Sequence, residues 1–148
     1  MTIVIIPSFI CNFRCKYCYL NNSTKQLSDS LSAEFVCSVL NQVKDTLCNK
    51  RGKISLIWHG GEPLLWGIDN YKQVFEFIKN KFGELEIKNS IQCNLSLIND
   101  EYIKLFKQHN VKVGFSLDGP KDTNDLQRVF ANGTGTFDTI MEKMKMCR

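Results

Sequence analysis

The chain lacks the features that would place it in a membrane or outside the cell. No apolar run approaches the ~20 residues needed to span a bilayer. The opening Met1-Thr2, four apolar residues and Pro7 have neither the basic stretch nor the longer apolar core of a secretory signal. Blocks of like charge are missing too. The formal charge of +4 comes from Lys and Arg spread among Asp and Glu, which pulls weakly toward anionic partners and gives no sign of a nucleic-acid surface. Seven cysteines is an odd count, and no second Cys-x-x-Cys pair occurs, so a disulfide framework and a closed four-thiol zinc site both find little support. A reducing, cytoplasmic setting is expected, with no membrane and no nucleic-acid partner. At 148 residues and 43% apolar content the chain is long enough for one packed domain.

What is present is a triplet, Cys11, Cys15 and Cys18, set just after an apolar strand-like segment. Thiolates at intervals of four and three residues can turn inward from one loop and hold three corners of a 4Fe-4S cube. The fourth iron is then unclaimed, which suits a cluster that binds and reduces a small molecule directly. Zinc is the competing reading, with His59 a conceivable further ligand.

Short apolar runs alternate with longer amphipathic ones, the pattern of βα units on a parallel sheet. Four units can be counted. The first strand is Ile3 to Ile6, with a helix from Leu31 to Leu47 whose apolar face is Phe35, Val36, Val39, Leu40, Val43 and Leu47. The second strand, Lys53 to Trp58, precedes a helix capped near Asp69 and striped by Tyr71, Val74, Phe75, Ile78 and Phe82. The third, Glu86 to Gln92, leads to a helix starting at Asn99. The fourth, Val111 to Leu117, is followed by a polar stretch and a helix from Thr136, with Phe137, Ile140, Met141 and Met144 facing inward. Right-handed crossovers bring all four strand C-termini to one rim, where α/β proteins bind ligands. The unusual residues fall there: the Cys run, His59-Gly60-Gly61-Glu62-Pro63, Gln92-Cys93-Asn94, and Ser116-Leu117-Asp118-Gly119-Pro120.

With these segments placed, the chain resembles the radical S-adenosylmethionine (SAM) enzymes, and within them the anaerobic sulfatase-maturating enzymes and related peptide maturases. Residues 11–19, Cys-Asn-Phe-Arg-Cys-Lys-Tyr-Cys-Tyr, resemble the family's cluster loop, and Trp58-His59-Gly60-Gly61-Glu62-Pro63-Leu64-Leu65 resembles its SAM-binding segment. Gly114 to Pro120 and Gly133-Thr134-Gly135-Thr136-Phe137-Asp138 are similar to further segments. The resemblance implies an α/β fold of four βα units from a parallel, partial TIM-like barrel. It implies a 4Fe-4S cluster on Cys11, Cys15 and Cys18, with SAM on the open iron. Gly60 and Gly61 would let the backbone approach the methionine moiety, Glu62 would accept from its amino group, and Tyr17 would lie near the adenine. Gln92 and Asn94 would face the SAM and substrate pocket. Ser116 would bond the ribose or carboxylate, and Arg128 would pair with the carboxylate. The activity implied is reductive cleavage of SAM to a 5'-deoxyadenosyl radical for peptide or protein modification at low oxygen, fed by a low-potential donor of flavodoxin or ferredoxin type.

Departures from the family pattern are local and global. Cys93 and Leu95-Ser96 stand in a segment that commonly reads Gln-Thr-Asn-Gly-Thr, and Asn124-Asp125 stands where His-Asp is usual. Cys93 is expected to be a small buried side chain, and Cys37, Cys48 and Cys147 to be packing or surface residues. Four units against the family's six lead us to expect the N-terminal part of a radical SAM core, without its last strands or an auxiliary-cluster domain. The alternative function is a catalytically inactive remnant that binds cluster and SAM, or an interaction module.

Overall fold

The computed structural model describes residues 1–22, 30–47, 53–83 and 85–147. Four strands, β1 (Thr2–Ile5), β2 (Lys53–Trp58), β3 (Glu86–Cys93) and β4 (Lys112–Phe115), form one sheet in the order β1-β2-β3-β4. Every pairing is parallel, and the register aligns Ile5 with Trp58, Trp58 with Ile91 and Ile91 with Val113. The helices are α1 (Ala33–Leu47), α2 (Ile68–Lys81), α3 (Asp100–Gln108), α4 (Lys121–Gln127) and α5 (Phe137–Met146). The expected α/β class and four-strand parallel order therefore hold. β1 starts and ends one residue earlier than the apolar run suggested, and β4 is shorter at both ends.

The helix-facing side of the sheet carries Ile5, Ile54, Leu56, Trp58, Ile91 and Cys93, all buried. Against it α1 packs Ala33, Val36 and Leu40, and α2 packs Tyr71, Val74, Phe75 and Ile78. Phe35 and Val39, expected on the same α1 face, are 54% and 39% exposed because the buried stripe is centred one position further round. The Leu47 side chain and Cys48 lie outside the described residues. Asn99 caps α3, accepting from Tyr102 N at 3.0 Å, as the sequence signals. Of the inward set on α5 only Ile140 is fully buried, while Phe137, Met141 and Met144 are half-buried.

Helix α4 falls within the stretch that the sequence marks only as polar. Its one large apolar residue, Leu126, is 61% exposed, so there is no hydrophobic period to detect. Polar contacts hold it instead. Asn124 is fully buried, donating to Thr136 Oγ1 at 3.1 Å and accepting from Asp118 N at 3.3 Å. Among the described helices, none is long and apolar enough to cross a membrane.

Candidate functional site

The site lies at the strand C-termini and is supported by an aromatic core. Trp58 stacks on Trp66 at 5.6 Å, and Tyr71 meets both edge-on. Residues Pro63–Trp66 form a 3-10 turn directly behind the Gly-Gly-Glu segment. Two buried hydroxyls hold this turn, Tyr71 donating to Pro63 O at 3.0 Å and Tyr102 donating to Leu64 O at 2.7 Å. Each such bond contributes about 1 kcal/mol and stops the hydroxyl being stranded in the core. The position of Glu62 is thus set by packing beneath the rim.

Glu62 itself is 0% exposed. Its Oε1 accepts from Leu64 N at 3.0 Å and its Oε2 from Asn94 N at 2.7 Å, so one carboxylate joins the ends of β2 and β3. Burial raises its pKa to about 7, although both amides and the Arg128 charge pull the other way. Gly60 and Gly61 are needed within the chain itself. A Cβ on Gly61 would sit 2.3 Å from Ile10 O and 2.5 Å from Phe9 O, and one on Gly60 would sit 2.4 Å from Ser8 O. Gly60 also holds φ +130, a left-handed value that strains other residues. The glycine pair lets the end of β2 lie against the chain entering the cysteine loop, sealed by Gly61 N to Ser8 O at 3.1 Å and Glu62 N to Ile10 O at 2.8 Å.

The cysteine loop is held from three sides. Cys15 is buried, and Cys11 and Cys18 are half-buried. Burial pushes the Cys11 and Cys15 thiols up, and mutual repulsion with Cys18 adds to the rise in both, so the three sulfurs share one environment. Phe13 N points at Cys11 Sγ at 3.4 Å, and Asn94 Nδ2 lies 3.9 Å from the same sulfur. Such N–H donors suit a thiolate bound to iron. Asn94 also donates to Asn12 Oδ1 at 2.8 Å, Asn12 to Ser96 Oγ at 2.9 Å, and Ser96 back to Asn94 Oδ1 at 2.7 Å, a closed ring beside Cys11. On the far side, residues 13–16 pair antiparallel with 127–130 through Arg14 N to Val129 O at 2.7 Å and Lys16 N to Gln127 O at 2.9 Å. Phe13 and Phe130 bridge and meet edge-on at 4.9 Å.

Three of the remaining residues form one group. Tyr17 donates to Asp118 Oδ2 at 2.7 Å and accepts from Arg128 Nη1 at 2.7 Å. Arg128 is buried, and its guanidinium lies 5.9 Å from the Phe13 ring centre. The Asp118 carboxylate meets both Tyr17 and Arg128, the latter at 3.8 Å. Gln92 donates to Ser116 Oγ at 3.1 Å, linking the ends of β3 and β4 over Gly114. Cys93 faces the helices, buried, its thiol pushed up to about 12 by burial and donating to Gly114 O at 3.6 Å. Leu95, where a Gly is usual, holds φ 68 and is 1% exposed, its burial offsetting the strain. His59 is exposed, with Nδ1 accepting from Gly60 N at 2.7 Å. Among the described residues no three His, Cys, Asp or Glu form a group able to hold a single metal ion.

Sequence reasoning missed Asn12, Ser96, Phe13 and the strap at 127–130. Asn12 and Ser96 are 84 residues apart and carry no spacing signal, and the strap follows a helix with no apolar period. Asp125 was visible only as a motif position. Burial opposes its ionisation, but bonds from Phe137 N, Asn124 and Thr136 N outweigh it and hold its carboxyl below the usual value. Gly135 is small because a Cβ there would fall 2.2 Å from the Asp125 carboxyl carbon.

Comparison with known proteins agrees with this geometry. The radical SAM superfamily profile matches residues 5–148. The chain belongs to the radical SAM superfamily. It is 33% identical over 138 residues to a cysteine-type anaerobic sulfatase-maturating enzyme of Clostridium novyi, covering 92% of this chain and 37% of that protein. An uncharacterised protein of Methanothermobacter thermautotrophicus is 32% identical over 146 residues, 99% of this chain and 52% of its own. The solved structure described as native anSMEcpe with bound AdoMet superposes with a TM-score of 0.86 at 29% identity, over 99% of this chain and 40% of that one. A second, of the same protein with AdoMet and the Cp18Cys peptide, gives 0.84. The chain thus spans between about a third and a half of the length of these relatives, and radical SAM membership implies a 4Fe-4S cluster and SAM as its cofactors.

Proposed function

We propose that this chain holds a 4Fe-4S cluster on Cys11, Cys15 and Cys18, binds SAM at the same rim, and serves as the N-terminal part of an enzyme that modifies a peptide or protein. The observation that carries this reading is the cysteine loop. Three thiols sharing one partly desolvated environment are clamped between the Gly60-Gly61 segment, the Asn94 turn and the 127–130 strap, within a chain that belongs to this superfamily. When bound, such a cluster supplies the one electron that splits SAM's carbon–sulfur bond.

The chain's own residues do the orienting. Gly60 and Gly61 let the end of β2 close on the chain entering the cysteine loop, which sets that strand end beside the loop where the methionine moiety would lie. Glu62 fixes the Asn94 backbone, its two carboxylate oxygens accepting from Leu64 N and Asn94 N beneath the rim. Gln92 and Ser116 present an amide and a hydroxyl to the mouth, fitting ribose or carboxylate oxygens. Arg128 supplies the cation for a carboxylate, and Tyr17, its hydroxyl tied back to Asp118, offers a ring face to the adenine. A low-potential donor of flavodoxin or ferredoxin type would deliver the electron. The peptide substrate is carried over from the relatives, one of which is described with a bound peptide.

Anaerobic reconstitution followed by iron analysis and assay of 5'-deoxyadenosine from SAM tests the reading. A loaded chain that turns SAM over supports it; a chain that loads iron without turnover supports the binding-remnant alternative. Cys15→Ala is expected to lose cluster and cleavage together, and four irons retained in that variant would show the ligands to be wrong.

A further inference from the structure

The strap gives one cluster ligand a cross-strand partner. The bonds Arg14 N to Val129 O and Lys16 N to Gln127 O set 14 opposite 129 and 16 opposite 127, the register of the Phe13–Phe130 bridge, so the position between them falls where an antiparallel ribbon has a non-hydrogen-bonded pair. In such a pair the opposite side chains leave the same face, with Cβ atoms about 4.5–5.5 Å apart. By that register Cys15 and Arg128 stand opposite each other, two positions along from the bridged pair Phe13 and Phe130.

The Arg128 charge is under-compensated where it sits. The side chain is 9% exposed, and the Asp118 carboxylate lies 3.8 Å away while also accepting from Tyr17. Its Nε is buried with no hydrogen-bond partner among the described residues. A buried guanidinium is costly unless an anion faces it. Three thiolates make a 4Fe-4S cluster anionic overall, and one-electron reduction adds to that charge.

We propose that Arg128 is a positioning residue for the cluster, its cation held opposite Cys15 by the strap so that it stabilises the charge gained on reduction and raises the cluster's potential. This rests on the reading of Cys11, Cys15 and Cys18 as cluster ligands, and it is separate from any contact between Arg128 and SAM.

The test is a potentiometric EPR titration of the reconstituted chain without SAM, with dithionite as the one-electron source and iron content measured in parallel. Arg128→Gln is expected to keep its iron and become harder to reduce by at least about tenfold, about 59 mV for a one-electron couple. Arg128→Lys keeps the cation and should lie nearer wild type. Asp118→Asn removes the opposing charge and should shift the midpoint upward. An Arg128→Gln midpoint equal to wild type at full iron, or Gln and Lys variants equally displaced, overturns the proposal. If Arg128→Gln fails to load, Asp118→Asn decides: an upward shift supports the proposal, and an unchanged or lower midpoint overturns it. A wild-type chain that forms no cluster refutes the functional reading instead.

Discussion

Glu62 makes stability depend on pH in a direction opposite to that of an ordinary paired carboxylate. It is fully buried, and burial raises its pKa from 4.5 in the unfolded chain to about 7 in the native one, against the pull of the Asn94 and Leu64 amides. Between those values the native chain keeps a proton that the unfolded chain has lost. Its contribution is therefore complete below the unfolded pKa and disappears as pH rises through about 7, a change of about 3 kcal/mol. Glu62→Gln removes the titration. The amide retains one acceptor oxygen but sets its NH2 against a backbone N–H, which costs about 1–3 kcal/mol for the unsatisfied donor. The variant should thus be less stable than wild type at acid pH, and the gap should close or reverse by pH 8. Urea unfolding of the iron-free chain at four pH values measures it, and the other titrating groups cancel in the difference between the two proteins. A bound anionic cluster would raise the Glu62 pKa further, so loading cannot reverse the sign. Stability curves that run parallel from acid to alkaline pH would refute the reasoning.

Gly61→Ala must displace the backbone at Phe9 and Ile10, both carbonyls being within 2.5 Å of the new Cβ. The expected cost is about 1–3 kcal/mol, with iron loading reduced while helical circular dichroism is retained; normal loading would show that the loop moves freely. Leu95→Gly relieves about 1–2 kcal/mol of left-handed strain, but it empties a site of the core, and large-to-small changes cost about 2–5 kcal/mol. Net destabilisation is expected in denaturant unfolding, and a stabilised variant would mean that strain outweighs packing there. Gly135→Ala pushes the Asp125 carboxyl off the first turn of α5, and loss of that cap should lower stability by about 1–2 kcal/mol, read as a lower Tm.

The parts of the fold with a hydrophobic period were legible in the sequence. Lys53–Trp58 alternates buried and half-exposed residues as a strand should, and Tyr71, Val74, Phe75 and Ile78 on α2 all reach the core. The cysteine spacing and the Gly-Gly-Glu-Pro run were legible because local chemistry constrains them. What stayed hidden is held together by polar residues far apart in the chain. Helix α4 has no apolar stripe and depends on Asn124, which as an isolated amide in a polar stretch gives no signal of burial. Arg128 carries no sequence signal of burial, and the ribbon with residues 13–16 is what turns it inward. Phe35 and Val39 show the reverse error, since an apolar residue one position off the buried stripe is counted with it.

The support of the cysteine loop explains why these hidden contacts matter. Residues 11–18 contain no helix and no strand longer than a single bridge, so the loop cannot place three sulfurs by its own propensity. Each clamp comes from elsewhere: Gly60 and Gly61 after β2, Asn94 and Ser96 after β3, and residues 127–130 after α4. Closing contacts this far apart carries a loop-entropy cost that must be met before they stabilise anything. The strap depends on the Asn124–Thr136 contact that ties α4 to α5. Late ordering of the loop is therefore the expected outcome, and iron bound by its thiolates would add its binding free energy to the most distant clamp as well as to the loop itself. Cluster loading should then protect the amides of Arg14 and Lys16 from hydrogen exchange more than those of β2, because the ribbon is where ordering of the loop and closure of the strap are the same event.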